Sequence, residues 1–177
     1  MITDKIIWPK HYNPAEADYT VEAEILADGL TAEDVWPYLS NISDISKVDN
    51  QFVYAVPENS SVDDPHMFRH EKFTLSTDDY KADVEVVESV PPKGDRTGKL
   101  SWSGDAALTK SGEKFTFMHM WILDVESGDK LKIVSVLAVK GKVFNQEYFA
   151  SVNQRYLTDI VAYARGKKTH TNHPARH

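Results

Sequence analysis

The sequence contains no cysteine, which excludes disulfide scaffolds, thiolate zinc or iron–sulfur centres and cysteine nucleophiles. Long apolar runs are missing too. The best of them, Ile133 to Val139, is broken by Ser135 and falls far short of the roughly 20 residues a helix needs to cross a bilayer. Positive charge is in deficit, with Lys+Arg 20 against Asp+Glu 27 and a formal charge of −7. Such a surface repels polyphosphate and anionic headgroups, so neither nucleic acid nor a membrane is an expected partner. The opening Met1–Lys5 lacks the basic stretch and apolar core of a secretion signal, which makes a cytoplasmic protein the expectation. No phosphate-cradling glycine loop, zinc-protease helix or nucleophile elbow occurs, and no metal or organic cofactor is expected.

What is present suits one domain with short extensions. At 177 residues, 41% hydrophobic and 11% aromatic, the chain can bury roughly 70% of the surface its unfolded form exposes. Residues 1–18 mix Trp8-Pro9 and Asn13-Pro14 with charges and read as an irregular arm. Residues 19–166 carry the periodic patterns, and residues 167–177 read as a flexible tail without periodicity.

Within the domain the period is first two. Val21, Ala23 and Ile25 alternate with Thr20, Glu22 and Glu24, the mark of a half-buried strand, and Asp28-Gly29 ends it. Thr31-Ala-Glu-Asp34 is a helix start, with Thr31 as N-cap and acids in the first turn. Val35, Trp36 and Leu39 supply that helix's apolar side, Pro37 sits early enough to be tolerated, and a second short helix is expected near Asp44–Val48. Strand patterns follow over Gln51–Val56, Met67–Leu75, Tyr80–Val86, Lys99–Ser103, Phe115–Val125 and Leu131–Lys140, with a turn over Leu108–Glu113. Glu126-Ser127-Gly128-Asp129 is a hairpin signal between the last two. Strands do not alternate with helices, so an antiparallel meander is expected rather than a parallel sheet. After Gly141 the period becomes helical. Phe149, Val152, Tyr156, Ile160 and Tyr163 recur at three- and four-residue steps, predicting a helix of about 20 residues that stops at Gly166.

The expected fold is therefore α+β: a strongly bent antiparallel sheet of about seven strands wrapped on a long C-terminal helix, with two short helices after the first strand. One helix cannot fill the trough of a bent sheet, so a cavity between the two is expected. Val21-Glu-Ala-Glu-Ile25, Ala32-Glu-Asp-Val-Trp36-Pro-Tyr-Leu39, the Ser127-Gly128-Asp129-Lys130-Leu131 hairpin and the closing helix resemble the START-related superfamily. That group includes birch-pollen-allergen-like and polyketide cyclase/dehydrase-like proteins, and the resemblance spans roughly Tyr19 to Arg165. It implies a helix-grip fold around an apolar pocket and the binding or modification of hydrophobic small molecules.

The strand Phe115–Val125 is apolar on both faces: Phe115, Phe117, His119, Trp121 and Leu123 on one, Met118, Met120 and Ile122 on the other. We assign the His119 and Trp121 face to the cavity, matched by Leu100 and Trp102 on the preceding strand; a one-residue slip would exchange the faces. The other face needs a cover, either the Ile6-Ile7-Trp8 arm or a second copy of the chain in a homodimer. His119 suits acid–base or hydrogen-bonding work at neutral pH, and the commoner role for such a residue is a core histidine satisfied by neighbours. Arg69 and Glu71 share a strand face with Met67, Phe73 and Leu75, and would form a pair beside the ligand if that face is concave. If the strand slips or lies at an edge, both are solvated. Phe149, Val152, Tyr156 and Ile160 form the helical floor, with Asn153 at the margin.

His66 with His70, the tail residues His170, His173 and His177, and the turn doublets Asp63-Asp64 and Asp78-Asp79 are set aside as metal or catalytic sites. The leading functional expectation is binding of a hydrophobic or amphipathic small molecule, such as a lipid, quinone or polyketide. The alternatives are a cofactor-independent cyclase/dehydratase using His119 with Glu71 or Tyr156, and an interaction protein that stimulates a chaperone.

Overall fold

In a computed structural model, the structure describes residues 17–40, 52–57, 70–126, 130–141 and 143–172, with the backbone alone for 52–57 and 167–172. The elements are β1 (Tyr19–Asp28), α1 (Ala32–Ser40), β2 (Phe52–Pro57), β3 (Lys72–Thr77), β4 (Tyr80–Val90), β5 (Gly98–Leu108), β6 (Lys114–Val125), β7 (Lys130–Lys140) and α2 (Gln146–Asn172). All seven strands form one sheet in the order β1-β7-β6-β5-β4-β3-β2, and every neighbouring pair is antiparallel.

Period-two patterning decides which side of each strand is wet. In β1, Val21, Ala23 and Ala27 are buried while Glu22 and Glu24 are exposed, because successive side chains of a pleated strand point to opposite faces. In β6 and β7 nearly every residue from Phe115 to Leu123 and from Leu131 to Val139 is buried. The concave side takes Phe115, Phe117, Trp121, Leu123, Leu131, Ile133 and Leu137 into the main core. The convex side takes Met118, Met120, Val134 and Val136 into a second, smaller cluster with Val87 at its edge. That convex cluster is 0–2% exposed within a single chain, so it needs no second subunit as a cover. The Ile6-Ile7-Trp8 arm lies outside the described residues.

α1 begins with a reciprocal capping box. The Asp34 amide donates to Thr31 Oγ1 at 3.1 Å and the Thr31 amide to Asp34 Oδ2 at 2.8 Å, which satisfies two of the first-turn donors. Pro37 falls beyond the first four helical residues, so it removes an internal hydrogen bond rather than replacing an orphan. Burial of Val35, Trp36 and Leu39 offsets that loss. The expected second short helix near Asp44–Val48 lies outside the described residues.

Three boundaries differ from the sequence expectations. β3 spans Lys72–Thr77, and His70 just before it adopts φ 72, which breaks the extended backbone there; the Met67–Arg69 part of the expected strand lies outside the described residues. β5 continues past Ser103 to Leu108 through Gly104, Ala106 and Ala107. Those small residues carry little strand preference, and pairing with β4 and β6 on both sides imposes it. α2 runs through Gly166 to Asn172. A helical glycine costs only about 1 kcal/mol against alanine, too little to stop a helix. α2 packs against β1, β7 and α1 and buries Phe149, Asn153, Tyr156, Leu157, Ile160, Val161 and Ala164 on that side.

The sheet is bent. Seven strands spaced at about 4.8 Å would span nearly 30 Å if flat, yet Leu75 of β3 and Leu137 of β7 line one and the same pocket with Phe149 of α2.

Candidate functional site

That pocket lies between the sheet and the first half of α2. Its wall is Leu75 (β3), Tyr80 (β4), Trp102 (β5), Phe115, Phe117 and His119 (β6), Leu137 (β7), and Tyr148, Phe149, Val152 and Tyr156 (α2). The free volume inside is about 30 Å3. Among the described residues this is less room than the sequence leads one to expect: the space suits one or two waters, whereas a dry cavity that takes benzene is nearer 150 Å3. The trough is narrowed by rings. Phe115 meets Tyr80, Phe144 and Phe149 at centroid distances of 5.4, 6.1 and 6.2 Å, and the long residues of both walls fill what one helix alone would leave open.

One buried polar network crosses this apolar wall. His119 sits mid-strand in β6, Ser135 lies diagonally across on β7, opposite Trp121, and Asn153 descends from α2. His119 Nε2 is 2.9 Å from Ser135 Oγ and 2.8 Å from Asn153 Oδ1. The Ser135 hydroxyl donates to Asn153 Oδ1 at 2.5 Å, and Asn153 Nδ2 donates to the Ser135 carbonyl at 3.1 Å. All three residues are at most 8% exposed. The commoner role foreseen for His119, a core histidine satisfied by its neighbours, describes its Nε2. The imidazole also stacks on Trp121 at 3.9 Å and meets Trp102 edge-on at 6.2 Å.

Burial strips water from the ring and lowers the His119 pKa from 6.5 to about 3, with the hydrogen bond to Asn153 pulling weakly the other way. His119 is therefore neutral at pH 7. Between pH 6.5 and about 3 the unfolded chain binds a proton that the folded chain refuses. Stability is then full above pH 6.5 and falls by about 1.4 kcal/mol per unit as pH drops toward 3. Urea unfolding at about pH 7 and about pH 5 should show the native chain losing roughly 2 kcal/mol more than a His119→Phe variant. Equal losses would mean that His119 is protonated in the folded state.

At the mouth, the Tyr148 hydroxyl donates to Asp79 Oδ2 at 3.2 Å. Burial first, then the charge and hydrogen bond of Asp79, push the Tyr148 pKa up to about 12, against a smaller opposing pull from Arg155. Phe144 stacks on Tyr148 at 4.1 Å, and the Tyr148 amide is capped by Asn145 Oδ1 at 2.8 Å. The contact ties the start of α2 to the β3–β4 turn across the opening.

Of the residues singled out by sequence, Trp102, Phe117, His119, Phe149, Val152 and Tyr156 come together around the pocket. Leu100, Trp121 and Ile160 are buried in the core beside it without lining it. Glu71 is fully buried just ahead of β3, and its backbone carbonyl accepts from the Val86 amide at 2.9 Å. Arg69, its expected pair, lies outside the described residues, as do His66, His173 and His177. His70 is exposed and 3.6 Å from Glu85, with no metal-binding cluster of three His, Asp or Glu among the described residues. Sequence reasoning did not single out Tyr80, Leu137 or Tyr148 as lining, nor Ser135 as a partner of His119. The signal for Ser135 was its position as the one hydroxyl inside an otherwise apolar run.

No described helix is long and apolar enough to cross a membrane. No family model matches the chain, and no curated protein matches it in sequence. Solved structures do match in shape. A hypothetical protein from Helicobacter pylori is similar at 22% identity and TM-score 0.76, over 90% of this chain and 95% of its own. A START superfamily protein from Mycobacterium smegmatis is similar at 9% identity and TM-score 0.57, over 83% and 97%. A norcoclaurine synthase point mutant from Thalictrum flavum, in complex with a transition-state analogue, is similar at 11% identity and TM-score 0.50, over 84% and 95%. With its order of strands, its bent antiparallel sheet and its single closing helix, the chain has a helix-grip fold, similar in shape to that of the START superfamily protein.

Proposed function

We propose that the chain binds a small, largely aromatic or apolar molecule between the sheet and α2, without turnover. The observation that carries this reading is the pocket wall itself, in which aromatic and aliphatic side chains surround one imidazole. A wall of that kind is what small-molecule sites share: mostly apolar, with few polar groups to orient the guest. The norcoclaurine synthase structure, a similar fold in complex with a transition-state analogue, supports small-molecule binding as the general reading. Because the free space is about 30 Å3, admission requires outward movement at the mouth, where Tyr148, Phe144 and Val152 are only half-buried. Turnover through His119 is disfavoured. A base whose conjugate acid titrates near pH 3 is poorly matched to proton abstraction at neutral pH.

Titration with toluene and naphthalene, read by the fluorescence of Trp102 and Trp121 and by the thermal midpoint, tests the reading. Saturable quenching with a rise in midpoint is expected. Phe149→Ala, which removes a ring from the wall, should cost about 3–5 kcal/mol of stability and tighten naphthalene binding about tenfold. Absence of saturable binding in both proteins would overturn the proposal.

A further inference from the structure

Within the His119–Ser135–Asn153 network one ring nitrogen of His119 has no hydrogen bond among the described residues, and the network fixes which one it is. The Ser135 carbonyl can only accept, so the group facing it at 3.1 Å must be the Asn153 amide nitrogen. Asn153 Oδ1 therefore faces both Ser135 Oγ and His119 Nε2. An oxygen with no proton needs donors on both approaches. The Ser135 hydroxyl supplies one, and the other must be a proton on Nε2, shared between Asn153 Oδ1 and Ser135 Oγ. The opposite tautomer would set Nε2 and Oδ1 lone pair against lone pair at 2.8 Å. His119 is thus the Nε2–H tautomer, held from two elements, and its Nδ1 is a bare acceptor with no hydrogen bond among the described residues.

We propose that the guest of this pocket carries a hydrogen-bond donor, a hydroxyl or N–H, and that Nδ1 of His119 accepts it. This rests on the reading of the pocket as a small-molecule site and makes His119 its specificity-determining residue. A phenol or indole satisfies the acceptor while its ring meets the aromatic wall. An ether or a carboxylate brings only lone pairs, and among the described residues the pocket lining holds no lysine or arginine to receive a negative charge. Desolvation, which keeps the ring from accepting a proton from water, leaves Nδ1 free for a neutral donor. A site built to pair with a donor discriminates against the isostere lacking it, because its own acceptor is left unpaired.

Calorimetric titration of the full chain with phenol and with its isostere toluene, alongside 15N spectra of the histidine rings, tests the assignment. Phenol should bind at least as tightly as toluene, although water solvates it better, and should move the His119 Nδ1 resonance upfield from its unprotonated position; toluene should leave that resonance in place. His119→Phe should weaken phenol about tenfold and change toluene less than about twofold. Should that variant not fold, the ring spectra of the native chain decide alone. Binding of both probes with no change at Nδ1, or a proton found on Nδ1 before titration, overturns the inference and leaves the pocket reading standing. Failure of both probes to bind overturns the two together.

Discussion

Replacing Asn153 with leucine should lower stability by about 2–5 kcal/mol, a drop in thermal midpoint on the order of 5–15 °C for a chain of this size. The side chain is 1% exposed and answers three groups at once: the Ser135 hydroxyl, the Ser135 carbonyl and the His119 Nε2–H. Leucine fills nearly the same volume, so little of the loss comes from packing. What remains in the core is a Ser135 hydroxyl and carbonyl stripped of their Asn153 partners, while the His119 Nε2–H keeps only Ser135 Oγ at 2.9 Å, and each lost partner carries its desolvation cost. The asymmetry of buried hydrogen bonds gives a sharper second result. Adding His119→Phe and Ser135→Ala to the leucine variant removes the stranded side-chain groups and should recover most of the stability, as a well-packed apolar core does when it replaces a polar network. Urea midpoints of the single and triple variants check this. A single variant as stable as the native chain would show that the network contributes nothing net to folding. A triple variant that regains stability but no longer prefers phenol over toluene would place the network's purpose in recognition.

The second large effect is expected at Gly104, where β5 passes under Phe117 of β6. A Cβ at this position would stand 2.5 Å from Phe117 Cζ and 2.6 Å from Cε1, far inside van der Waals contact. Gly104 and Phe117 are directly paired across the sheet, and the tip of the ring occupies the space a side chain at 104 would need. Gly104→Val should therefore cost about 2–4 kcal/mol through overpacking, and it should drive the Phe117 ring into the little free space that exists. Binding of naphthalene should fall with stability. Phe117→Leu, added to Gly104→Val, should restore part of both, and the non-additivity of the pair is the measurement that matters. Simple addition of the two costs would mean that the ring has another place to go.

These two sites show where sequence reading reaches and where it stops. Alternation along Tyr80–Val86 and around Val21–Ile25, and helical spacing from Phe149 to Tyr163, are local periodicities, and each became the element they predict. The Thr31 cap is legible for the same reason, since its partner Asp34 is three residues away. The face of β6 was an inference from neighbouring strands, and the pairing of Leu100 with Trp121 and Trp102 with His119 shows why it came out on the concave side. The second half of β5 was not legible, because Gly104, Ala106 and Ala107 signal nothing until strands on both sides pair with them. Ser135 and Asn153 are 18 residues apart, and nothing in either one's surroundings in the chain names the other or His119.

By itself the order of periods, two and then 3.6, determined the class of architecture, since amphipathic strands and one amphipathic helix have few ways to bury their apolar sides together. It also determined which residue types would face inward. The size of the interior and the state of its one imidazole were decided only by the folded chain. Free volume is the small difference between the space enclosed by two walls and the side chains that fill it, and a proton's place on a ring depends on which distant donors and acceptors the walls bring within about 3 Å.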